Sequence, residues 1–175
     1  MLLYLFIIIF LIIVGTAAWA SFKAAPWVPT WQYDYQRILN LVDLKEGETI
    51  FELDAGDGRL LPEFAKTKAK SIIGFEISVL PYIFGWFRVR KLKPRVQFKF
   101  EDFYKADFSK ADVIFCFLTP PAMKKLKIKF EKECRPGTRI ISYTFSILDW
   151  PLATKDKPTE KSIPIYKYLS GQKNG

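Results

Sequence analysis

The stretch Thr49 to Leu61, Thr-Ile-Phe-Glu-Leu-Asp-Ala-Gly-Asp-Gly-Arg-Leu-Leu, constrains the fold of this chain more than any other. The short apolar run Ile50-Phe51-Glu52-Leu53 is a strand with an acidic end. Gly56 and Gly58 then turn the chain, and Leu60, Leu61, Phe64 and Ala65 begin a helical pattern. Bare backbone at such a turn lets a ligand approach closely, and the helix N-terminus behind it offers unpaired N–H groups to an anionic group. A second acidic strand end, Gly74-Phe75-Glu76, follows at the spacing that suits a carboxylate on a ribose diol in a nucleotide-binding fold. A glycine pair alone is a common turn. With Glu76 behind it, the pair points to a nucleoside site of the Rossmann kind.

Around that unit, strands and helices alternate. Ser71 to Glu76 is the second strand, and Leu80 to Lys93 is a helix with Pro81 in its first turn. Val96 to Phe100 is a third strand, ending at Glu101-Asp102. Asp112 to Leu118 is a fourth, apolar enough for the centre of a parallel sheet. Thr119-Pro120-Pro121 stops it, and Met123 to Cys134 is a helix. Arg139 to Phe145 and Ile163 to Leu169 are the last two strands, with Lys155 to Lys161 a polar loop between them. Before the first strand, Thr30 caps a helix running to about Val42. This order predicts an α/β fold with a mostly parallel sheet.

Residues Leu2 to Ala20 carry no charged side chain, a run long enough to cross the ~30 Å hydrocarbon layer as a helix. Ala18-Trp19-Ala20 also resembles a signal-peptide cleavage site. The missing basic n-region and the length of the run favour an anchor. The formal net charge is +9, and the first flanking charge, Lys23, lies on the C-terminal side. Positive-inside bias therefore predicts a single-pass protein with residues 23 to 175 in the cytoplasm. Residues 23 to 30 form a juxtamembrane linker with Pro26 and Pro29, and Trp19, Trp27 and Trp31 suit an interfacial belt.

The chain contains no histidine, which excludes histidine acid–base chemistry and histidine metal ligation. Cys116, inside Val113 to Leu118, reads as a small buried hydrophobe, and no metal site is expected. The Gly-Lys-Ser/Thr ending of a phosphate loop is absent after Gly58, which disfavours a nucleotide triphosphatase. In an open α/β sheet, ligands bind beyond the carboxyl ends of the strands. Those ends carry Glu52, Asp54, Gly56, Gly58, Glu76, Asp102 and Thr119. Such a set suits an adenosyl ligand better than a triphosphate. Each member also has a plainer reading. Asp54 and Asp57 can cap the next helix, Asp102 can hold a turn, Glu76 can be solvated, and Thr119-Pro-Pro can be only a strand stop. The helix Leu80 to Lys93 is either a core helix or an interfacial one, with Arg88, Arg90, Lys91 and Lys93 toward anionic headgroups.

The motifs, in order, resemble the class I S-adenosylmethionine-dependent methyltransferases. More closely they resemble the small membrane-anchored group related to the ATP synthase c-subunit lysine methyltransferases. The resemblance covers roughly residues 26 to 169. Its motifs are Trp27-Val28-Pro29-Thr30, Gly56-Asp57-Gly58-Arg59-Leu60, Gly74-Phe75-Glu76-Ile77-Ser78, Asp102-Phe103-Tyr104, Ala111-Asp112-Val113-Ile114, Arg135 to Tyr143 and Trp150-Pro151. It implies a Rossmann-like methyltransferase fold over 49–175, a transmembrane anchor over 1–22, and a linker and helix over 23–48. It implies S-adenosyl-L-methionine as cofactor and a protein lysine near the bilayer as substrate. By the same resemblance Glu52 lies near the methionine amino group and Gly56 and Gly58 line the aminocarboxypropyl moiety. Glu76 holds the ribose hydroxyls, Asp102 meets the adenine, and Thr119 stands beside the transferred methyl. The family pattern has glycine where this chain has Asp54. A register shifted by one step makes Asp54 the acid and leaves Leu60 at the third glycine position. A degenerate fold acting as a membrane-bound binding module is the alternative function. Nucleic-acid methylation ranks below both, because the basic residues are scattered over helices.

Overall fold

The computed structural model describes residues 1–23 and 28–172. Part of the predicted linker, including Pro26 and Trp27, lies outside the described residues. The chain begins with helix α1 (Leu2–Lys23), then passes through a 3-10 turn at Gln32–Asp34 into α2 (Tyr35–Val42). The remaining elements are β1 (Thr49–Leu53), α3 (Leu61–Ala65), β2 (Ser71–Glu76), α4 (Val79–Val89), β3 (Val96–Phe100), β4 (Val113–Cys116), α5 (Pro120–Glu133), β5 (Arg139–Tyr143), β6 (Leu152–Asp156) and β7 (Ile165–Leu169).

The seven strands form one sheet in the order β3-β2-β1-β4-β5-β7-β6. The first five are mutually parallel, and β7 runs antiparallel between β5 and β6. Strand order reverses between β1 and β4. That reversal is the point at which open α/β sheets leave a crevice at their carboxyl ends. Strand alternation divides the core into two layers. Phe51 and Leu53 face one side with Phe75, Phe108, Leu126 and Phe130, while Ile50 faces the other with Ile38, Val42, Leu61, Phe64 and Phe115. Glu52 points to the second side, so an acid replaces a core residue at the carboxyl end of the central strand.

Four local expectations are revised. The segment Leu152–Asp156, whose last two residues were expected in a loop, is the edge strand β6; its first four residues are exposed, so no alternation marks it. Thr30 caps no helix. It is buried, and Asp34 stands at the N-cap position of α2. Asp54 and Asp57 do not cap α3, whose N-cap position is Leu60. Helix α5 starts at Pro120 rather than Met123, because prolines at the first helical positions forfeit no intrahelical bond. Cys116 is fully buried, and burial pushes its thiol up to about 12.

Candidate functional site

The site is built at the carboxyl ends of β1 and β2. Asp54 leaves β1 with φ 58, and Gly56 and Gly58 follow with φ 56 and 64. Three left-handed residues in five coil the chain back on itself, so the Ala55 N–H reaches the Phe75 carbonyl at 2.8 Å and the Gly58 N–H reaches Ala55 at 2.9 Å. Glycine adopts this region freely, whereas a side chain at Asp54 costs about 1–2 kcal/mol.

Glu76 locks the loop. Its Oε2 accepts from the Gly56 N–H at 2.8 Å, and its Oε1 accepts from the Ile77 and Ser78 N–H groups at 2.8 and 2.6 Å. A carboxylate has about four acceptor positions. Three are filled here by backbone. Burial drives the Glu76 carboxyl upward in pKa, while the bonds from Ser78, Gly56 and Ile77 oppose that shift.

Glu52 is different. It is buried, and its Oε2 accepts no hydrogen bond from any described residue. Desolvation, then the negative charges of Asp57, Glu76 and Asp54, push its pKa well up. Asp54 is raised by the same desolvation and by Glu76. Asp57 is held low instead, against its burial, by Arg59 and Arg88. Arg59 pairs with it at 2.9 Å, and Arg88 pairs at 2.8 Å and also donates to the Asp57 carbonyl.

Glu52, Asp54 and Gly56 line one pocket. Val28, Pro29, Thr30, Arg59, Phe115 and Phe117 complete much of its wall. The sequence signalled Val28-Pro29-Thr30 only through resemblance. Arg59 was marked in the same way, as part of Gly56-Asp57-Gly58-Arg59-Leu60, whereas Phe117 had no pattern to expose it, since a strand-end aromatic is common. The segment entering α2 is fastened over the pocket by a buried chain of bonds. Tyr143 Oη donates to Asp34 at 2.7 Å, Arg37 pairs with the other Asp34 oxygen at 2.5 Å, and Arg37 also pairs with Asp156 on β6.

The other predicted residues fall around this pocket rather than in it. Gly58 packs against α4, where a Cβ would come 3.4 Å from Gly85 Cα. Asp102 accepts from the Tyr104 N–H at 3.0 Å and holds the turn after β3. Thr119 occupies the N-cap position of α5, half-buried, its carbonyl accepting from Met123. Arg88, considered for lipid headgroups, is committed to Asp57 of the glycine loop.

A pocket with two buried, unneutralised carboxyl groups favours a cation over a free phosphate. The unpartnered Glu52 oxygen fits the ammonium of an amino-acid-like ligand, and the uncluttered Gly56 backbone fits its close approach. The residues therefore fit S-adenosylmethionine, whose ammonium and sulfonium are both positive.

Comparisons with known proteins agree with the geometry. Residues 52–154 match the family model of the ANTKMT methyltransferase domain. A protein-lysine N-methyltransferase from Saccharolobus islandicus (strain REY15A) is 31% identical over 152 residues, spanning 84% of this chain and 94% of that relative. Among solved structures, an RNA methyltransferase from Salinibacter ruber, in complex with S-adenosyl-L-homocysteine, superposes with a TM-score of 0.76 at 24% identity, over 84% of this chain and 97% of that one. An S-adenosylmethionine-dependent O-methyltransferase from Thermotoga maritima gives 0.67 at 14% identity, over 85% and 69%. The two structural likenesses show a shared fold. Together with the family match and the lysine-methyltransferase relative, they establish that the chain belongs to the ANTKMT methyltransferase domain family, within the class I S-adenosylmethionine-dependent methyltransferases.

Proposed function

We propose that the protein methylates the ε-amine of a protein lysine at a membrane surface, with residues 1–22 as its single transmembrane anchor and 49–175 as its catalytic domain. The observation that carries the cofactor half is the buried Glu52 oxygen without a partner, at the floor of the pocket beside Gly56. The lysine half draws on the Saccharolobus relative, which is named for that activity. When bound, S-adenosylmethionine supplies a methyl group on a positive sulfonium.

The chain's own residues bind, orient and desolvate. Glu52 neutralises the amino end, and the Gly56 backbone permits its approach. Glu76, held in place by three backbone N–H groups and by the Ser78 side chain, takes the ribose hydroxyls. Gly58 supports this loop by packing against Gly85, Asp102 borders the adenine from its turn after β3, and Thr119 lies on the substrate side. Pro29, Phe115 and Phe117 keep water from the pocket. Methyl transfer to an amine depends on in-line placement of the neutral nucleophile, so positioning carries most of the rate. Desolvation and the neighbouring Glu76 raise the pKa of Asp54, which weakens its repulsion of the ligand's carboxylate.

The membrane half rests on α1. Leu2–Ala20 has mean hydropathy 2.7, and none of that stretch's most apolar window is buried in the fold. Tethering concentrates the enzyme on substrates in the same bilayer, and the basic side of the anchor favours a cytoplasmic body. Calorimetry of the full chain in detergent tests the first half: saturable binding of S-adenosylmethionine supports it, and no heat at millimolar ligand refutes it. A binding module without catalysis is the second reading, favoured by Asp54 at a left-handed position. Binding without methyl transfer to any membrane protein would decide for it.

A further inference from the structure

We propose that α4 is an interfacial helix, its outer face sunk among the headgroups of an anionic bilayer beside the anchor. Helix α4 buries Pro81, Gly85 and Val89 against the sheet, one residue per turn. Its opposite stripe is Leu80, Ile83, Phe84 and Phe87, at positions i, i+3, i+4 and i+7. These side chains are 42%, 43%, 55% and 55% exposed. A soluble helix carries polar residues there; α4 is apolar on both faces. Beyond its C-terminal end come exposed Arg90, Lys91 and Lys93, with the Arg90 guanidinium 5.2 Å from the Phe87 ring centroid. An apolar stripe followed by basic residues is the composition of helices that lie in the membrane interface.

The occupant is identified by depth as well as by composition. Helix α1 turns Ile13, Thr16 and Ala20 away from solvent and packs against α4. The Val79 N–H, at the first residue of α4, donates to Thr16 Oγ1 at 3.3 Å. Thr16 lies four residues inside the end of the apolar span at Ala20. At ~1.5 Å per residue, α4 therefore begins about 6 Å below the level where the span ends. Interfacial helices bury their apolar faces about 5–10 Å into the headgroup boundary. The exposed stripe of α4 and the end of the anchor thus meet the same layer.

This placement rests on the reading of α1 as a membrane span, and it has a consequence for the site. Only Ile77 and Ser78 separate Glu76 from α4, and Arg88 of α4 holds Asp57. The cofactor loop is therefore braced on the docked helix, and the substrate lysine is selected within a short distance of the lipid surface.

The test uses the full chain in proteoliposomes of equal phosphatidylcholine and phosphatidylglycerol, with Cys134→Ser as background and one nitroxide label at a time. Labels go at Phe84→Cys, at Ile8→Cys in the anchor, and at Lys124→Cys on the exposed side of α5. The proposal expects the Phe84 and Ile8 labels to be relaxed more by lipid-soluble oxygen than by an aqueous nickel chelate, and the Lys124 label to show the reverse. Phe84→Glu with Phe87→Glu, read from a label at Leu80→Cys, should shift that label to the aqueous pattern while the Ile8 label stays in lipid. An aqueous Phe84 label beside a lipid-exposed Ile8 label overturns the docking and leaves the anchor standing. An aqueous Ile8 label overturns the anchor itself. A Phe84 label shielded from both reagents means a protein covers this face, which also overturns the proposal.

Discussion

The N–H of Gly56 donates to Oε2 of Glu76 across 2.8 Å and twenty positions of chain. One bond thus fixes two requirements of the proposed nucleoside site, the height of the glycine loop and the aim of the second acid. Removing the Glu76 carboxylate leaves the N–H groups of Gly56, Ile77 and Ser78 without their acceptor. Hydrogen bonds to a charged group are worth about 1.5–3 kcal/mol each. Glu76→Ala should weaken S-adenosylmethionine binding at least ~100-fold, since two such bonds already account for that factor, and should lower the melting temperature. Glu76→Gln keeps one acceptor oxygen and should fall between. Calorimetry and thermal unfolding on the two variants read both effects.

Glu52 predicts an opposition between stability and binding. Its pKa is raised in the folded chain, so the folded state holds its proton more tightly than the unfolded chain does. The contribution of Glu52 to the stability of the ligand-free protein is therefore fully present below the ordinary carboxylate value of about 4.5 and is lost as pH rises from there through the raised value. Asp54 and Glu76 act in the same direction. Glu52→Gln should make the ligand-free protein more stable at neutral pH and flatten part of that fall, while S-adenosylmethionine affinity drops. Cofactor affinity of the parent should rise across the same pH window, because the ammonium needs the ionised carboxylate. Thermal unfolding and calorimetry as functions of pH check both signs.

Asp54 occupies a left-handed position that glycine adopts without strain. Asp54→Gly should stabilise the protein by about 1 kcal/mol, as local strain and a buried acid disappear together. Cofactor binding should change by less than ~10-fold, or about 1.4 kcal/mol. Binding that appears only in the variant would show that the natural loop excludes the ligand.

Gly85 transmits the packing of α4 to the loop. A Cβ there would lie 2.8 Å from Phe98 Cζ and 3.1 Å from the Asp57 carbonyl carbon, which is backbone and cannot rotate aside. Gly85→Ala should destabilise by about 1–3 kcal/mol and weaken cofactor binding, although residue 85 does not line the pocket. Gly15→Ala, in α1 with open space around its Cβ, is the matched control and should change neither property.

The sequence made the central sheet legible because β1, β2 and β4 are short apolar runs ended by acids, turns or prolines, and local pattern decides them. Edge strand β6 was not legible. Four of its five residues are exposed, and its pairing with β7 comes from the tertiary fold. In the site, Glu52, Asp54 and Gly56 were found as pocket residues because the strand–turn–helix unit is local. The division of labour between Gly56 and Gly58 was hidden, since Gly85 lies far along the chain. One partner of Asp57 was hidden for the same reason: Arg88, the single charged residue of α4, lies 31 positions along the chain. Both cysteines are pushed up to about 12 by burial, consistent with thiols that pack and do not attack.

The proposed activity is methyl transfer to a protein lysine at a membrane surface. The most direct measurement incubates native membranes lacking the protein with the purified full chain and S-adenosylmethionine carrying a trideuterated methyl, followed by tandem mass spectrometry of membrane proteins. The account predicts label on a lysine ε-nitrogen with the parent chain and little or none with Glu76→Ala. Cofactor binding with no labelled protein, or label found only on nucleic acid, would contradict it.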